Sequence, residues 1–220
     1  MFSLETVLAL MAGGLLYWFP IRRWSKRWGA TDVDLARPMS GDSAVSNPTY
    51  ATTFAVTIAA RPEHVWPWLV QMGYRRGGLY SYDWLDRLFG FLDGPSAERI
   101  IPEYQDLEAG DVIPIGRGPG FPVATIKPRR TLVLGGEADG VHWSWELALY
   151  PLDDRRTRLV SRNRVNFPAT VGSALFMCVI EPAAFIMTRK MLLGLKRRAE
   201  TLAGGGRGQP SHAPTRPVAA

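Results

Sequence analysis

The longest helical pattern in the chain lies near its end, between Gly172 and Leu202. Apolar residues recur there at spacings of three, four and seven, which places them on one helical face. These residues are Phe185, Leu192, Leu195, Ala199 and Leu202. A glycine run from Gly204 ends the helix. Pro182 lies either in the first turn of the helix or at a kink in a longer one.

The chain between Thr52 and Phe167 reads mostly as strands. An alternating, β-rich run predicts a first strand at Thr53–Ala59. Shorter strand candidates follow, separated by turn residues: Asp111–Ile115, Phe121–Ile126, Thr131–Leu134, Val141–Tyr150 and Thr157–Phe167. One dominant helix with a set of strands predicts an α+β fold in which a sheet wraps on the helix.

Two short helices are predicted after the first strand. Pro62 and Glu63 open one that runs to Gly73. A glycine pair then breaks the chain, and a second helix follows over Leu79–Phe91. Helical spacing places Tyr80, Trp84 and Leu88 on one face of that second helix, and Asp83 and Asp86 on others.

The N-terminal segment Thr6–Phe19 is almost purely apolar. Two aromatic residues close it, and Trp24 follows among basic residues. This order is typical of a membrane anchor whose C-terminal side faces the cytoplasm. Its fourteen residues fall short of a hydrocarbon core of roughly 30 Å, so a tight span, an interfacial helix and a helix docked on the domain stay open. We expect the protein at the cell membrane, with its domain on the cytoplasmic side.

The remaining boundaries follow from composition. Residues 1–28 are the anchor with its basic flank, and residues 29–50 are a polar linker or an arm lying on the domain. Residues 51–203 are the folded domain. The Gly- and Pro-rich residues 204–220 are predicted to be a disordered tail.

Composition narrows the possible partners. The chain is 46% hydrophobic with eight tryptophans, enough to fill a core. A net charge of +6 permits an anionic partner, but acids interrupt the basic groups and no nucleic-acid motif occurs. No nucleic-acid partner is therefore expected. Cys178 alone excludes a disulfide framework and is predicted to be a buried, inert thiol.

Three stretches resemble a group of uncharacterised bacterial proteins. They are PEHVWPWLVQMGYRRGGLYSYDWLD (62–86), SAERIIPEYQDLEAGDVIP (96–114) and EPAAFIMTRKMLLGLKRRAE (181–200). The group belongs to the START-like, or SRPBCC, superfamily, which includes polyketide cyclases and dehydrases. The N-terminal arm GATDVDLARPMSGD (29–42) is also similar to that of the group.

The resemblance implies a helix-grip fold, with a curved antiparallel sheet around a long C-terminal helix. It also implies a hydrophobic cavity between sheet and helix, which members of the superfamily use for sterols, lipids, hormones and polyketides. It does not choose between carriers, receptors and enzymes.

Aromatic residues form the best candidate for a pocket, because aromatic walls with a few polar tips suit small apolar ligands. The candidates are Tyr80, Tyr82, Trp84, Tyr104, Trp143 and Trp145. In Val141–Tyr150 the alternation puts Trp143, Trp145, Leu147 and Leu149 on one face, and His142, Ser144 and Glu146 on the other.

The long helix adds Phe185 and Glu181 to the candidate site. Glu181 is a lone acid in an apolar run, either buried beside a base such as Arg162 or Arg164, or solvated in the first turn beside Pro182. In the buried case it is a polar anchor or proton donor of the pocket.

The sequence contains no motif for metal binding, phosphate binding or nucleophilic catalysis. The three histidines have no ligand spacing, so no metal is expected. No phosphate loop, Ser-His-Asp set or cofactor motif occurs. We expect binding of a hydrophobic small molecule or lipid at the membrane. The alternatives are a cyclase or dehydratase using the same pocket, and a non-catalytic accessory protein.

Overall fold

The computed structural model describes residues 3, 5–6, 13, 20–138, 140–168 and 170–205. The strands are β1 (Tyr50–Ile58), β2 (Val112–Ile113), β3 (Phe121–Lys127), β4 (Thr131–Ala138), β5 (Val141–Asp153) and β6 (Arg156–Asn166). The helices are α1 (Arg22–Ser25), α2 (Asp32–Ala36), α3 (Pro62–Val70), α4 (Asp83–Leu88) and α5 (Val171–Gly205). Short 3₁₀ turns lie at Asp42–Val45 and Pro102–Tyr104.

The six strands form one antiparallel, curved sheet in the order β1-β6-β5-β4-β3-β2. Helix α5 packs on its inner face, mainly against β1 and α3. The predicted α+β fold, with an antiparallel sheet and a long C-terminal helix, is confirmed.

The apolar stripe of α5 fills the core. Leu192, Leu195 and Ala199 are completely buried against inner-face residues of the sheet such as Leu147 and Leu159. The helix is continuous through Pro182, so the longer of the two predicted helices is the one that forms.

The outer face of the sheet is covered by the segment from Gly29 to Asn47. Three arginines on β6 hold it there, because alternate residues of a strand point to the same face. Arg158 pairs with Asp34, and Arg162 and Arg164 both pair with Asp42. From β5, Glu146 accepts a hydrogen bond from the Gly41 amide at 2.7 Å. This polar segment is an arm on the domain.

Residues 22–28, which the sequence assigns to the anchor, also pack on the domain. The amides of Thr53 and Ala55 donate to the carbonyls of Lys26 and Trp28. Most of the apolar segment Thr6–Phe19 lies outside the described residues, as does the tail from residue 206. No helix in the described part of the chain is both long and apolar enough to cross a membrane.

Two local predictions are wrong. Cys178, expected to be buried, is exposed, because this part of α5 extends beyond the packed core.

The second short helix covers only Asp83–Leu88, and Tyr80 precedes it with a positive φ of 58°. The helical face proposed for Tyr80, Trp84 and Leu88 therefore does not exist: Tyr80 is in the core, and the other two are largely exposed.

Candidate functional site

A cavity of about 370 Å³ lies between the inner face of the sheet and the middle of α5. The segment between α3 and β2 closes a third side. Helix α5 contributes Ile180, Ala183, Ala184, Met187, Thr188 and Met191. The sheet contributes Phe121, Trp145 and Asn163, and the loop between β2 and β3 contributes Ile115. The segment around α4 contributes Leu79, Ser81, Phe89 and Phe91.

Two contacts with α5 fix the segment that carries Ser81. Gly194 lets the helix approach closely, since a Cβ at that position would overlap the carbonyl oxygen of Tyr80. One turn later, Arg198 stacks on the Tyr80 ring and donates to the carbonyl of Ala97 at 2.8 Å. The wall of the cavity at Ser81 is therefore anchored on the helix that forms the opposite wall.

A buried carboxylate stands behind Ser81. The Ser81 hydroxyl donates to Oδ2 of Asp86 at 2.5 Å, and Asp86 is fully buried. Burial raises the pKa of Asp86, while the hydrogen bond from Ser81 opposes that rise. Among the residues that line the cavity in the described part of the chain, none is ionisable. Asp86 does not line the cavity itself, but it accepts a hydrogen bond from Ser81, which does.

The two β5 tryptophans lie on the inner face, as the alternation predicts. Trp145 lines the cavity, and its indole nitrogen donates to the Ser161 hydroxyl at 2.9 Å. Trp143 does not line the cavity but packs on Phe121, with ring centroids 4.8 Å apart. Trp143 therefore supports an aromatic residue of the wall.

The other predicted aromatic residues lie outside the cavity lining. Tyr80 is buried in the core, where its ring packs edge-on against Trp68. Tyr82 lies under the ammonium group of Lys190, and Trp84 is 63% exposed. The hydroxyl of Tyr104 donates to the carbonyl of Arg75, and its ring lies under the guanidinium of Arg76. The structure does not bring these four residues together with Trp145.

Glu181 and Phe185 face β1 and the N-terminal segment rather than the cavity. Nε of Arg22 lies 2.8 Å from Oε1 of Glu181. Phe185 contacts Trp24 and Phe54 edge-on. The prediction that Arg162 or Arg164 pairs with Glu181 is wrong, because both arginines lie on the outer face of the sheet and bind the arm. The solvated first-turn alternative was also wrong, since Glu181 is buried in the middle of α5.

Sequence reasoning missed most of the lining residues. Met187, Thr188 and Met191 recur at helical spacing beside the predicted core stripe, so a wider stripe could have included them. Asn163 alternates with Arg162 and Arg164 along β6, which places it on the opposite face from the two arginines. Nothing in the local pattern of Phe89 and Phe91 indicates the cavity, because both follow α4 in a loop.

The described residues contain no group of three or more His, Cys, Asp or Glu side chains that could hold a metal ion. The cavity is lined instead by apolar and uncharged polar side chains. The arrangement suits enclosure of an apolar molecule.

Comparisons with known proteins give only distant structural similarity. No family model matches the chain. No curated protein matches it either. Among solved structures, a Thermobifida fusca protein is 15% identical, with a TM-score of 0.42, covering 69% of this chain and 94% of its own. Norcoclaurine synthase from Thalictrum flavum is 14% identical, with a TM-score of 0.39 and coverages of 72% and 96%. The Aha1 protein of Colwellia psychrerythraea is 16% identical, with a TM-score of 0.36 and coverages of 68% and 99%.

Proposed function

We propose that this protein is a START-like domain that binds a hydrophobic small molecule or lipid in the cavity between its sheet and α5. The observation that carries the proposal is the cavity itself. Its volume of about 370 Å³ falls within the range of roughly 300–1,000 Å³ that is usual for small-molecule sites. Its walls are mostly aliphatic, aromatic and methionine side chains, which favour an apolar occupant.

The lining favours binding over catalysis. A cyclase or dehydratase needs a titratable group that reaches the substrate. The described lining has none, and Asp86 stands behind Ser81. Glu181, the acid suggested by the sequence, faces Arg22 instead. If the protein were a non-catalytic accessory protein, we would expect its own side chains to fill the space between sheet and helix. The open cavity disfavours that alternative.

Binding can be tested with the neutral fluorescent probe N-phenyl-1-naphthylamine and two matched variants. Ala184→Phe places a ring in the cavity, whereas Ile186→Phe adds the same ring at an exposed position of α5. We expect saturable probe binding to the full chain, at least about tenfold weaker in Ala184→Phe and unchanged in Ile186→Phe. Equal affinity in the two variants, or no saturable binding to the unaltered chain, would refute the proposal.

We also propose that the protein works at a membrane surface. The support is the apolar segment Thr6–Phe19 and the exposed side chains of Leu88, Phe89 and Ile180, of which the last two line the cavity. The test is sedimentation with anionic phospholipid vesicles before and after deletion of residues 1–19. That cut keeps Arg22 and Trp24, which pack on the domain. Loss of sedimentation on deletion is expected, and a full chain that stays in the supernatant contradicts the proposal.

A further inference from the structure

Two stretches of the chain carry several basic residues and no acid. Residues 20–31 contain four arginine and lysine residues, and residues 182–199 contain five. Most of these cations are neutralised by acids from elsewhere in the chain. The ion-paired residues are Arg22, Arg27, Lys196, Arg197 and Arg198.

Three of the remaining cations are exposed and have no carboxylate partner in the described part of the chain. They are Arg23, Arg189 and Lys190. Arg189 lies over the ring of Trp28, and Lys190 lies over the ring of Tyr82. An aromatic ring attracts a cation but carries no net charge, so it does not neutralise it. The positive charge of these side chains is therefore available to an anionic partner.

Helix α1 and the outer side of α5 lie side by side. The ring of Trp24 meets that of Phe185 edge-on, with centroids 5.5 Å apart, and Arg189 lies 5.0 Å from the ring of Trp28. Spacings of three and four residues put Ile186 beside both Arg189 and Lys190 on the helix surface.

Exposed apolar side chains lie among these cations. Ile21 is 43% exposed, Trp24 is 55% exposed and Ile186 is 48% exposed. Together they form one mixed surface, which we call the basic face. It consists of Ile21, Arg23, Trp24, Ile186, Arg189 and Lys190.

The composition of the basic face matches the surface of an anionic bilayer. Tryptophan is enriched at the level of the lipid headgroups, and basic side chains are attracted to anionic lipids. The apolar segment Thr6–Phe19 ends only two residues before Ile21, so it leads directly into this face. Stable attachment to a membrane by weak anchors takes two signals, such as an apolar segment and a basic patch. The basic face supplies the second signal.

We propose that the basic face binds the headgroups of anionic phospholipids and makes the membrane contact selective for anionic bilayers. This inference rests on the proposed role at a membrane surface, to which it adds the class of lipid and the side of the domain that meets it. The segment Thr6–Phe19 carries no charged side chain, so it gives no such selectivity by itself.

The test is sedimentation of the full chain with two kinds of vesicle at physiological ionic strength. One kind is phosphatidylcholine alone, and the other contains equal parts of phosphatidylcholine and phosphatidylglycerol. Each basic residue near an anionic surface strengthens binding about fivefold, so the unaltered chain should bind the anionic vesicles at least about tenfold more tightly. The triple variant Arg23→Gln/Arg189→Gln/Lys190→Gln should lose most of this preference, while its affinity for neutral vesicles stays unchanged.

The matched control removes three charges elsewhere. The variant Lys127→Gln/Arg129→Gln/Arg130→Gln alters exposed residues at the turn between β3 and β4. Strands β5 and β6 separate β4 from β1, the strand that contacts residues 22–28. The control should keep the full preference for anionic vesicles. An equal loss in both variants overturns the inference, because net charge alone would then set the preference.

Thermal unfolding of each variant shows whether it is folded. If the triple variant does not fold, Arg23→Gln/Lys190→Gln takes its place, with Arg129→Gln/Arg130→Gln as its control. Equal binding of the unaltered chain to the two kinds of vesicle overturns the inference and leaves the membrane role standing. Survival of the full preference in the folded test variant also overturns the inference alone. If the unaltered chain binds neither kind, the membrane role and the inference both fail.

Discussion

Arg22 and Glu181 form an ion pair that joins the N-terminal segment to the middle of α5. Nε of Arg22 lies 2.8 Å from Oε1 and donates to Oε2 at 3.0 Å. The Glu181 side chain is only 5% exposed, whereas that of Arg22 is 28% exposed. Lys26 adds a second positive charge nearby: burial lowers its pKa, and the charge of Glu181 opposes that effect. The pair therefore consists of a buried acid and a partly solvated base.

This asymmetry predicts unequal effects of the two single substitutions. Arg22→Leu leaves a buried carboxylate without this guanidinium and should cost about 2–3 kcal/mol, somewhat less than the loss of a partner from a fully buried pair. Glu181→Gln leaves the arginine partly solvated and should change the free energy of unfolding by less than about 1 kcal/mol. Denaturant unfolding measures both. Equal destabilisation by the two substitutions would contradict this prediction, because it would show that the buried carboxylate loses no more stability without its partner than the arginine does.

Some of this architecture is predictable because it depends on local periodicity. Trp143 and Trp145 share a face with Leu147 through simple strand alternation, and Leu195 belongs to the buried helical stripe through helical spacing. Such patterns fix which side of an element is buried. They do not fix which other element covers that side.

The rest depends on contacts between distant parts of the chain. Arg22 and Glu181 are 159 residues apart, and nothing near either residue indicates the other. The candidates Tyr80 and Trp84 failed for a related reason: a positive φ at Tyr80 breaks the helical phase on which their shared face depended. With that phase lost, Asp86 is buried and Trp84 is exposed. Asn163 points into the cavity because the arm occupies the opposite face of β6.

The phase of α5 can be tested with two substitutions to the same residue. Leu195→Asp puts an unpaired charge in the core and should unfold the domain, since the cost of several kcal/mol is a large part of a typical stability of about 5–15 kcal/mol. Arg197→Asp changes an exposed residue whose partner Glu98 is also exposed, so it should cost about 1 kcal/mol or less. Circular dichroism during thermal unfolding distinguishes the two. Similar melting curves would show that the helix phase is wrong.

The contribution of Trp145 to binding can be separated from that of exposed aromatic residues. Trp145→Ala removes part of the cavity wall and should weaken binding of N-phenyl-1-naphthylamine by about 1–3 kcal/mol. Trp84→Ala is the matched control, because Trp84 is exposed and lies outside the cavity lining. Its affinity should match that of the unaltered chain. A larger loss from Trp84→Ala than from Trp145→Ala would place the binding site elsewhere.

Arg162 is predicted to hold the arm on the sheet. Its guanidinium donates to Asp42 at 2.8 Å and to the carbonyls of Asp34, Leu35 and Arg37. Lysine keeps the charge but loses the planar fork of donors, so Arg162→Lys should cost about 2 kcal/mol or more through unpaired carbonyls. The rate of backbone amide hydrogen exchange in residues 31–47 should rise by the factor that corresponds to this loss of free energy. Arg155→Lys, at the exposed β5–β6 turn, is the control and should leave exchange in the arm unchanged.

Asp86 gives a prediction about pH. Burial raises its pKa in the folded state, so the folded state binds this proton more tightly than the unfolded state does. The resulting contribution to stability is present below the unfolded pKa of about 3.9 and is lost as the pH rises through the folded value. Asp86→Asn removes this titration. The stability of the variant relative to the unaltered chain should therefore increase as the pH rises from about 4 to 7.

The measurement for Asp86 is urea unfolding of both proteins at several pH values. The other ionisable groups are common to both proteins, so their contributions largely cancel in the difference. The asparagine oxygen can still accept from Ser81, while its buried amide nitrogen adds a cost that does not vary with pH. The slope of the difference, rather than its absolute value, therefore reports the carboxyl group. A flat difference, or one that falls toward neutral pH, would show that Asp86 is as easily ionised in the folded protein as in the unfolded chain.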